Sequence, residues 1–484
     1  MSRILVGPFN RVEGDLEIAL EISNGQVESA QVNSTMYRGF EQILQGKKPM
    51  DALVYTPRIC GICSVSQSVA SAYALADAMQ LGMPLNGERC INLILANENM
   101  ADLLTHFYLF FMPDFARSVY ATQPWYDQVQ ARFQAVKGDA CRDVLPARAE
   151  FLHLMGLLAG KWPHSLSIQP GGTAKSIEAH ERLGMLGILA GFRRFLERRL
   201  FGDSLEVISQ LKSESELQQW ASEKEWKSSD LRIFLHLSQQ LQLDQMGRAT
   251  DQFMSYGNYL LDGERLFRPG VVDAQGQRRP LDSQQITEDI SHAWLSGQQQ
   301  PQHPELGVTQ PSLDNERGYS WCKAPRLAGQ VMETGALARQ LSNGHPLMMD
   351  LAARSGANVQ NRMLGRLLEL AIVVPQMEQW ARQIDPLDRF CVHGTLPDYA
   401  DGVGMIEAAR GSLGHWLSIR EGKISNYQII APTTWNFSPR DQHGTPGALE
   451  QALQGAAVLE GEETPIAVQH IVRSFDPCVV CTVH

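Results

Sequence analysis

Two cysteine pairs at opposite ends of the chain decide the fold: RICGIC at residues 58–63 and DPCVVCTVH at residues 476–484. Each pair has the C-x-x-C spacing, which lets two thiolates turn toward one ion, and four thiolates can close a site for a soft metal. A zinc ribbon needs only about 15–20 residues between its pairs. Here nearly the whole chain separates them, so the sequence predicts a metal site that joins the two ends of the fold.

The composition is that of an ordinary globular protein. Of the 484 residues, 44% are hydrophobic and 20% are charged, and the formal net charge is -11. The acidic balance and the lack of a basic stripe argue against nucleic-acid binding. Residues 1–25 lack a secretory signal pattern, and no apolar run reaches the ~18 residues of a membrane helix. We therefore expect a cytoplasmic protein that does not insert into a membrane.

The cysteine count leaves two interpretations of the paired thiols. In a large chain without a signal pattern, C-x-x-C pairs favour metal or redox chemistry over disulfides. One interpretation is a structural zinc site that ties the termini together, and the other is a catalytic centre holding nickel or iron through thiolates. The four remaining cysteines stand alone and are typical of buried thiols: Cys90, Cys141, Cys322 and Cys391.

The apolar pattern predicts an α+β fold that is mostly helical. Residues 16–22 alternate apolar and polar side chains, and Asn24-Gly25 supplies a turn, which predicts an N-terminal β-hairpin. Helical spacing follows Cys63, so the first pair is expected where a loop enters a helix, whose dipole favours thiolates. We expect a long central helix bundle with small peripheral β-sheets.

Further segments follow the same helical pattern. They cover residues 91–111, 183–200, 204–255 and 362–383. The last contains Pro375, where we expect a kink. Residues 258–318 are polar and rich in turn residues, which indicates a loop-rich excursion over the helical body. With no visible boundary, we expect a single domain over residues 1–484.

Other short blocks carry charged residues at element ends. Taken alone, Glu13 is typical of a solvated strand end, and His484 of a frayed chain terminus. Together with the cysteine pairs, however, these blocks make the whole chain resemble the large subunit of nickel-iron hydrogenases, most of all the regulatory, hydrogen-sensing cytoplasmic group. The blocks are Arg11-Val12-Glu13-Gly14, Arg38-Gly39-Phe40-Glu41, Tyr319-Ser320-Trp321 with Lys323-Ala324-Pro325-Arg326, Glu407-Ala408-Ala409-Arg410-Gly411, and Pro432-Thr433-Thr434-Trp435-Asn436.

The resemblance implies a set of metal ligands. Nickel would be bound by Cys60, Cys63, Cys478 and Cys481. Of these, Cys63 and Cys481 would also bridge to an iron that carries carbonyl and cyanide ligands. A magnesium-type ion would be bound by Glu41, the Ile429 carbonyl and the His484 side chain.

The resemblance also implies catalytic roles. Glu13 would accept the proton that heterolytic cleavage of H2 releases beside a terminal thiolate. Arg410 would lie over the open coordination position, held in place by Asp114 and Asp476. Pro432 and Thr433 would shape the pocket around the iron ligands.

Departures from the family pattern point to a sensor. Gln67 replaces the usual histidine four residues after the second cysteine, which should change the basicity of a bridging thiolate. Ile62 and Phe110 are bulkier than the Val and Leu usual at expected gas-channel positions, which is either neutral core variation or a narrowing of the gas route that admits H2 and slows O2. The chain also ends at His484, without the extension that catalytic members carry before processing; this points to a sensor if the sequence is the whole translation product and says nothing if it is a processed form. These features favour a hydrogen sensor of low turnover.

The resemblance implies partners as well. The chain lacks further cysteine clusters, so an iron-sulfur small subunit would carry the electrons, in a heterodimer or a dimer of heterodimers. H2 would be the substrate, and a histidine kinase would be the signalling partner. The alternatives are an energy-conserving uptake hydrogenase, a zinc-bound structural scaffold, and a quinone-reductase-type relative. The last has lost the metal cysteines, so the four present here argue against it.

Overall fold

The computed structural model describes residues 2–484 and confirms a mostly helical α+β fold. The α-helices, in chain order, are α1 (Phe40–Leu44), α2 (Ala52–Tyr55), α3 (Ser64–Ala78), α4 (Leu85–Thr105), α5 (Tyr126–Phe133), α6 (Asp139–Ala159), α7 (Ala179–Phe195), α8 (Leu205–Ser209), α9 (Glu214–Ser222), α10 (Asp230–Leu241), α11 (Ala336–Asn343), α12 (Pro346–Ser355), α13 (Val359–Gln383), α14 (Pro432–Asn436), α15 (Ala448–Leu453), α16 (Ile466–Phe475) and α17 (Val479–Thr482).

The strands form small antiparallel sheets of two or three members. They are β1 (Ser2–Val6), β2 (Leu16–Ser23), β3 (Gln26–Ser34), β4 (Ile168–Gln169), β5 (Gly172–Thr173), β6 (Phe253–Ser255), β7 (Asn258–Leu261), β8 (Glu264–Phe267), β9 (Gly270–Val272), β10 (Arg278–Arg279), β11 (Ile286–Asp289), β12 (Leu295–Ser296), β13 (Gln310–Pro311), β14 (Ala324–Leu327), β15 (Ala400–Ala408), β16 (Gly411–Arg420) and β17 (Lys423–Ile430).

The predicted N-terminal hairpin is confirmed as β2 and β3, with β1 added on the outer side of β2. Its alternating pattern buries Leu16, Ile18 and Leu20 completely. Asn24 and Gly25 turn the chain with φ of 52° and 74°, the left-handed region that these two residue types tolerate best. The hairpin is followed along the chain by α1, which contains Glu41.

A central layer of long helices confirms the predicted bundle. Helix α4 packs against α6 and α13, and α7 packs against the same two helices. Almost every residue of α4 is buried, so this helix is the axis of the core. It continues as a π-helix at His106–Phe111 and then as a 3₁₀ turn at Met112–Ala116. Helix α13 runs through Pro375 to its end at Gln383.

Helix α3 lies unusually close to the sheet formed by β15, β16 and β17. Two glycines of β15 permit this approach: a Cβ atom at Gly402 would collide with the Ala74 carbonyl, and one at Gly404 with the Ala70 carbonyl. Because α3 begins directly after Cys63, this contact fixes the position of the first cysteine pair.

One helical prediction was wrong in its last part. Residues 204–245 contain α8, α9, α10 and a 3₁₀ turn at Leu243–Gln245, separated by short loops, but the chain then becomes extended and enters β6 at Phe253. Positive φ values at Gln242 and Gly247, of 53° and 77°, end the helical region. Residues 258–318 form short strands joined by loops.

The C-terminal tail lies inside the protein. Helix α16 ends at Asp476, which has a left-handed φ of 58°, and the chain then turns inward through Pro477. The tail is held by main-chain hydrogen bonds from Val479 N to Glu13 O (2.7 Å) and from Arg38 N to Val483 O (3.0 Å). Among the described residues, no helix has the length and apolarity that a membrane span requires.

Candidate metal centre

The four paired cysteines converge on one point. Sγ of Cys60 lies 3.5 Å from Sγ of Cys478, and Sγ of Cys63 lies 3.0 Å from Sγ of Cys481. All four sulfur atoms lie within 4.8 Å of one another, and all four residues are buried. The prediction that the two ends of the chain meet is therefore confirmed.

Local structure presents both pairs at helix starts. Cys63 precedes the first residue of α3, and Cys478 precedes the first residue of α17. The helix dipole at such positions favours thiolates. Two further hydrogen bonds fix the loops: Ile62 N donates to Cys60 Sγ at 3.3 Å, and Cys478 N donates to Thr433 Oγ1 at 3.0 Å.

The thiol cluster fits a soft cation. Hydrogen bonds from the neighbouring thiols, that of Cys478 first, hold the pKa of Cys60 well below its usual range. The same neighbours raise the pKa of Cys63 and of Cys481 well above theirs. Without a cation only one thiolate is therefore favoured, whereas a bound metal would stabilise several at once. The all-sulfur donor set matches thiolate-binding metals such as nickel, iron and zinc.

Glu13 lies beside this cluster. It forms a parallel bridge with Cys478, and its backbone N–H donates to Pro477 O at 3.3 Å. The side chain is partly buried. Burial and the charge of Cys60 raise its pKa, while Arg410 acts in the opposite direction. Glu13 is thus a carboxyl group placed and tuned to exchange protons next to the thiolates.

Arg410 is buried next to the tail, and only one of its two predicted partners is correct. Its Nη2 lies 3.1 Å from Asp476 Oδ1, and its Nε donates to Asp476 O at 3.0 Å. The second carboxylate is Asp102, which pairs with both Nη atoms. Burial disfavours the guanidinium charge, yet these two carboxylates hold the pKa of Arg410 well above its usual range.

The assignment of Asp114 to Arg410 was wrong. Asp114 pairs instead with Arg11 and Arg473, the latter at 2.6 Å from Oδ2. Asp102 lies in α4 and Asp114 in the 3₁₀ turn beyond the π-helix, and the two aspartates contact different arginines. In the sequence, Asp102 is an acidic residue within an apolar helical segment, and its spacing does not indicate Arg410 as its partner.

A second buried polar cluster surrounds the tail. Glu41 Oε1 lies 3.1 Å from His484 Nε2 and accepts a hydrogen bond from Ile429 N at 2.8 Å. The three predicted ligand residues therefore meet, although it is the N–H of Ile429 that contacts Glu41. Sequence reasoning missed Lys323, whose Nζ lies 3.2 Å from Glu41 and from Glu288.

The net charge of this cluster depends on whether Glu288 is ionised. Burial opposes ionisation of Glu41, but the Lys323 ammonium and then His484 lower its pKa to about 2. In the opposite direction, burial raises the pKa of Glu288 to about 7. Two carboxylates facing one ammonium fit an additional cation when both are ionised.

Gln67 lies on the first turn of α3, where its N–H donates to Cys63 O at 3.1 Å. Its Oε1 lies 2.8 Å from His415 Nε2, and Nδ1 of the same histidine lies 2.8 Å from the Tyr427 hydroxyl. Burial lowers the pKa of His415 to about 3, so the ring is neutral. It donates from Nε2 to Gln67 and accepts from Tyr427, which fixes the orientation of the amide.

Two further contacts hold the segments that carry the cysteine pairs. Pro432 and Thr433 begin α14, a five-residue helix that is buried throughout. The Thr433 hydroxyl accepts from Cys478 N, so α14 contacts the second pair directly. Glu98, another residue missed from the sequence, accepts from Val65 N and Ser66 N at 2.8 and 2.9 Å and holds the start of α3.

Comparisons with known proteins place this geometry among hydrogenases. The family model described as nickel-dependent hydrogenase matches residues 38–137 and 142–484. The periplasmic [NiFeSe] hydrogenase large subunit of Desulfomicrobium baculatum is 29% identical over 100% of this chain and 95% of its own length. The hydrogenase-2 large chain of Escherichia coli (strain K12) is 27% identical over 100% of this chain and 97% of its own length. Among solved structures, the oxidised Ni-Fe-Se hydrogenase from D. vulgaris Hildenborough superposes with a TM-score of 0.86 at 26% identity, over 100% of both chains.

Proposed function

Because the chain belongs to the nickel-dependent hydrogenase family, as a large subunit that carries the active site, we propose that its four cysteines hold nickel and iron and that it splits H2 into two protons and two electrons. The observation that carries the proposal is the convergence of Cys60, Cys63, Cys478 and Cys481 on one buried point. Membership of the family favours this reading over a zinc site that only ties the termini together.

Nickel would contact all four sulfur atoms. Cys63 and Cys481, whose sulfur atoms lie 3.0 Å apart, would also bind the iron. Carbonyl and cyanide would complete the iron coordination and face Pro432 and Thr433. When bound, the two metals supply the Lewis acidity and the two-electron redox chemistry that H2 cleavage requires.

The chain itself supplies the proton chemistry. Heterolytic cleavage releases a proton, which a carboxylate oxygen of Glu13 accepts. The backbone contacts of Glu13 with Pro477 and Val479 hold this residue beside the second cysteine pair. Arg410, held by Asp102 and Asp476, places a fixed positive charge beside the same pocket.

A magnesium-type ion would bind in the cluster around Glu41 and His484, with the Ile429 carbonyl as a further ligand. The support for this ion is the pair of carboxylates, Glu41 and Glu288, that face a single ammonium at Lys323. Such an ion would hold the C-terminal tail inside the protein and so keep Cys481 in place.

An iron-sulfur small subunit would carry the electrons away. Among residues 2–484 the four paired cysteines form the one cysteine cluster that could hold a metal. The chain therefore has no cysteine set for an iron-sulfur relay of its own. The names of relatives, "large subunit" and "large chain", agree with a partner of this kind.

We further propose a cytoplasmic hydrogen sensor of low turnover that signals to a histidine kinase. The support is Gln67, a residue atypical of the family, whose amide is oriented by His415. An energy-conserving enzyme is the second candidate, favoured by relatives such as the uptake hydrogenase large subunit of Azotobacter chroococcum mcd 1. Turnover with an artificial acceptor separates the two, since a sensor should be slow and an uptake enzyme fast.

The decisive experiment on the mechanism is isotope exchange between H2 and D2O. Glu13→Gln should abolish the exchange while nickel and iron contents stay those of the parent, because the amide cannot accept the proton. Glu21→Gln, an exposed substitution on β2, is the matched control and should exchange normally. Normal exchange in Glu13→Gln would remove Glu13 from the mechanism.

A further inference from the structure

Asp114 and the two arginines paired with it, Arg11 and Arg473, border a pocket that the proposed hydrogenase mechanism does not use. The pocket has a volume of about 400 Å³ and is open to solvent on one side. Its walls come from the segment after β1, the 3₁₀ turn that contains Asp114, the end of α5 and helix α16. Three arginines line it: Arg11, Arg117 and Arg473.

The charge around the pocket is unbalanced. Among the described residues, no acidic side chain lines it, and one carboxylate, that of Asp114, lies behind the three guanidiniums. His470 also faces Asp114, but burial lowers its pKa to about 4, so it is neutral at physiological pH. The pocket thus has two positive charges in excess, in a chain whose formal net charge is -11.

The arginines retain unused donors. Arg117 has a side chain that is 37% exposed, and it donates one hydrogen bond, to Gln469 Oε1 at 2.8 Å. Arg473 is 1% exposed and its Nε has no partner among the described residues, although its other nitrogens bind Asp114 and Asn10. The exposed Arg117 is therefore the arginine best placed to donate to a ligand in the pocket, whereas the buried Arg473 contributes mainly its charge.

We propose that this pocket binds a carboxylate. The planar fork of a guanidinium matches the two oxygens of a carboxylate, and three guanidiniums around one aspartate favour an anion over a neutral ligand. The volume exceeds that of a single carboxyl group. It therefore suits either a small free polycarboxylate or an acidic side chain together with its backbone. The acidic side chain would belong to the proposed small subunit, so this second source rests on the proposed function.

The test is calorimetric titration of citrate into the full chain at constant ionic strength, without H2. We expect saturable binding of one citrate, weakened about 10- to 100-fold in Arg117→Ala through loss of a charge-assisted hydrogen bond. Arg117→Lys keeps the positive charge but lacks the planar guanidinium, so this variant should bind citrate with intermediate affinity. Arg389→Ala removes an exposed arginine outside the pocket and should leave binding unchanged.

Repeating the titration with the complex of large and small subunits separates the two sources. If citrate still binds, the ligand is a free carboxylate. If citrate no longer binds and Arg117→Ala weakens subunit association, the ligand is an acidic side chain of the partner. Absence of saturable binding to the full chain, or equal binding by Arg117→Ala, would overturn the proposal. Neither outcome depends on H2 cleavage, so the proposed function is tested separately.

Discussion

Replacing Asp102 by asparagine should release Arg410 from one of its two carboxylates. Both side chains are 4% exposed, and Asp102 contacts both Nη atoms of the arginine. Breaking a buried ion pair typically costs about 3–5 kcal/mol, because the remaining charge stays buried. Asp476 still holds the guanidinium through its carboxylate at 3.1 Å and its carbonyl at 3.0 Å. We therefore expect the lower end of this range, about 3 kcal/mol.

This free energy corresponds to a small but measurable thermal shift. An unfolding entropy of about 2.1 cal/mol/K per residue gives about 1 kcal/mol/K for a chain of 484 residues. Asp102→Asn should therefore lower Tm by about 3 °C in differential scanning calorimetry. In a double-mutant cycle with Arg410→Gln, the coupling free energy should be about 2–3 kcal/mol, since the two groups are in contact.

Asp114→Asn is the matched comparison. It should also lower Tm, because Asp114 binds Arg473 and Arg11, but its effect should add to that of Arg410→Gln within about 0.5 kcal/mol. Coupling of Arg410 to Asp114, with none to Asp102, would refute the assignment made from the structure.

Three further predictions concern packing, pH and the tail cluster. Gly404→Ala should lower Tm by about 1–3 °C or more through overpacking, because the added Cβ would collide with the Ala70 carbonyl. The control is Gly156→Ala, at a helical glycine with no atom near its Cβ, which should not lower Tm. Equal effects of the two substitutions would contradict the close packing of α3 on β15. Burial depresses the pKa of His470 to about 4, so its stabilising effect is full above about pH 6.5 and is lost as pH falls toward 4. The free energy of unfolding should drop by about 2–3 kcal/mol over this window, and His470→Gln should remove that part of a calorimetric pH profile; an unchanged profile would exclude His470 as its source. Lys323→Met leaves Glu41 without its buried ammonium and should lower Tm by about 3–5 °C, whereas an unchanged Tm would mean that the ion pair is not important for the folded state.

The sequence predicted the features that short motifs encode. The C-x-x-C pairs, the hairpin turn at Asn24-Gly25 and the helix after Cys63 each depend on local spacing, and each lies where it was predicted. The meeting of the two cysteine pairs is a long-range contact, but soft-metal chemistry and the resemblance to a known family both required it.

Side-chain partners within the core were harder to predict. The choice between Asp102 and Asp114 depends on which of two carboxylates on one long helical segment reaches Arg410: Asp102 lies in α4, and Asp114 lies beyond the π-helix at His106–Phe111, which has no clear sequence signal. Lys323 lies in one of the sequence blocks that resemble the family, but its position between Glu41 and Glu288 results from the meeting of three segments that are distant in the sequence. Such contacts depend on tertiary packing, which periodicity and spacing do not report.

Nickel K-edge X-ray absorption of the mature complex tests the central claim most directly. If the four cysteines hold nickel and iron together, the nickel should have a sulfur-dominated first shell and a neighbouring iron scatterer. The iron contribution should disappear in Cys481→Ser, which removes a proposed bridging thiolate. Nickel surrounded by nitrogen and oxygen, or a cluster that contains zinc without nickel, would contradict the account.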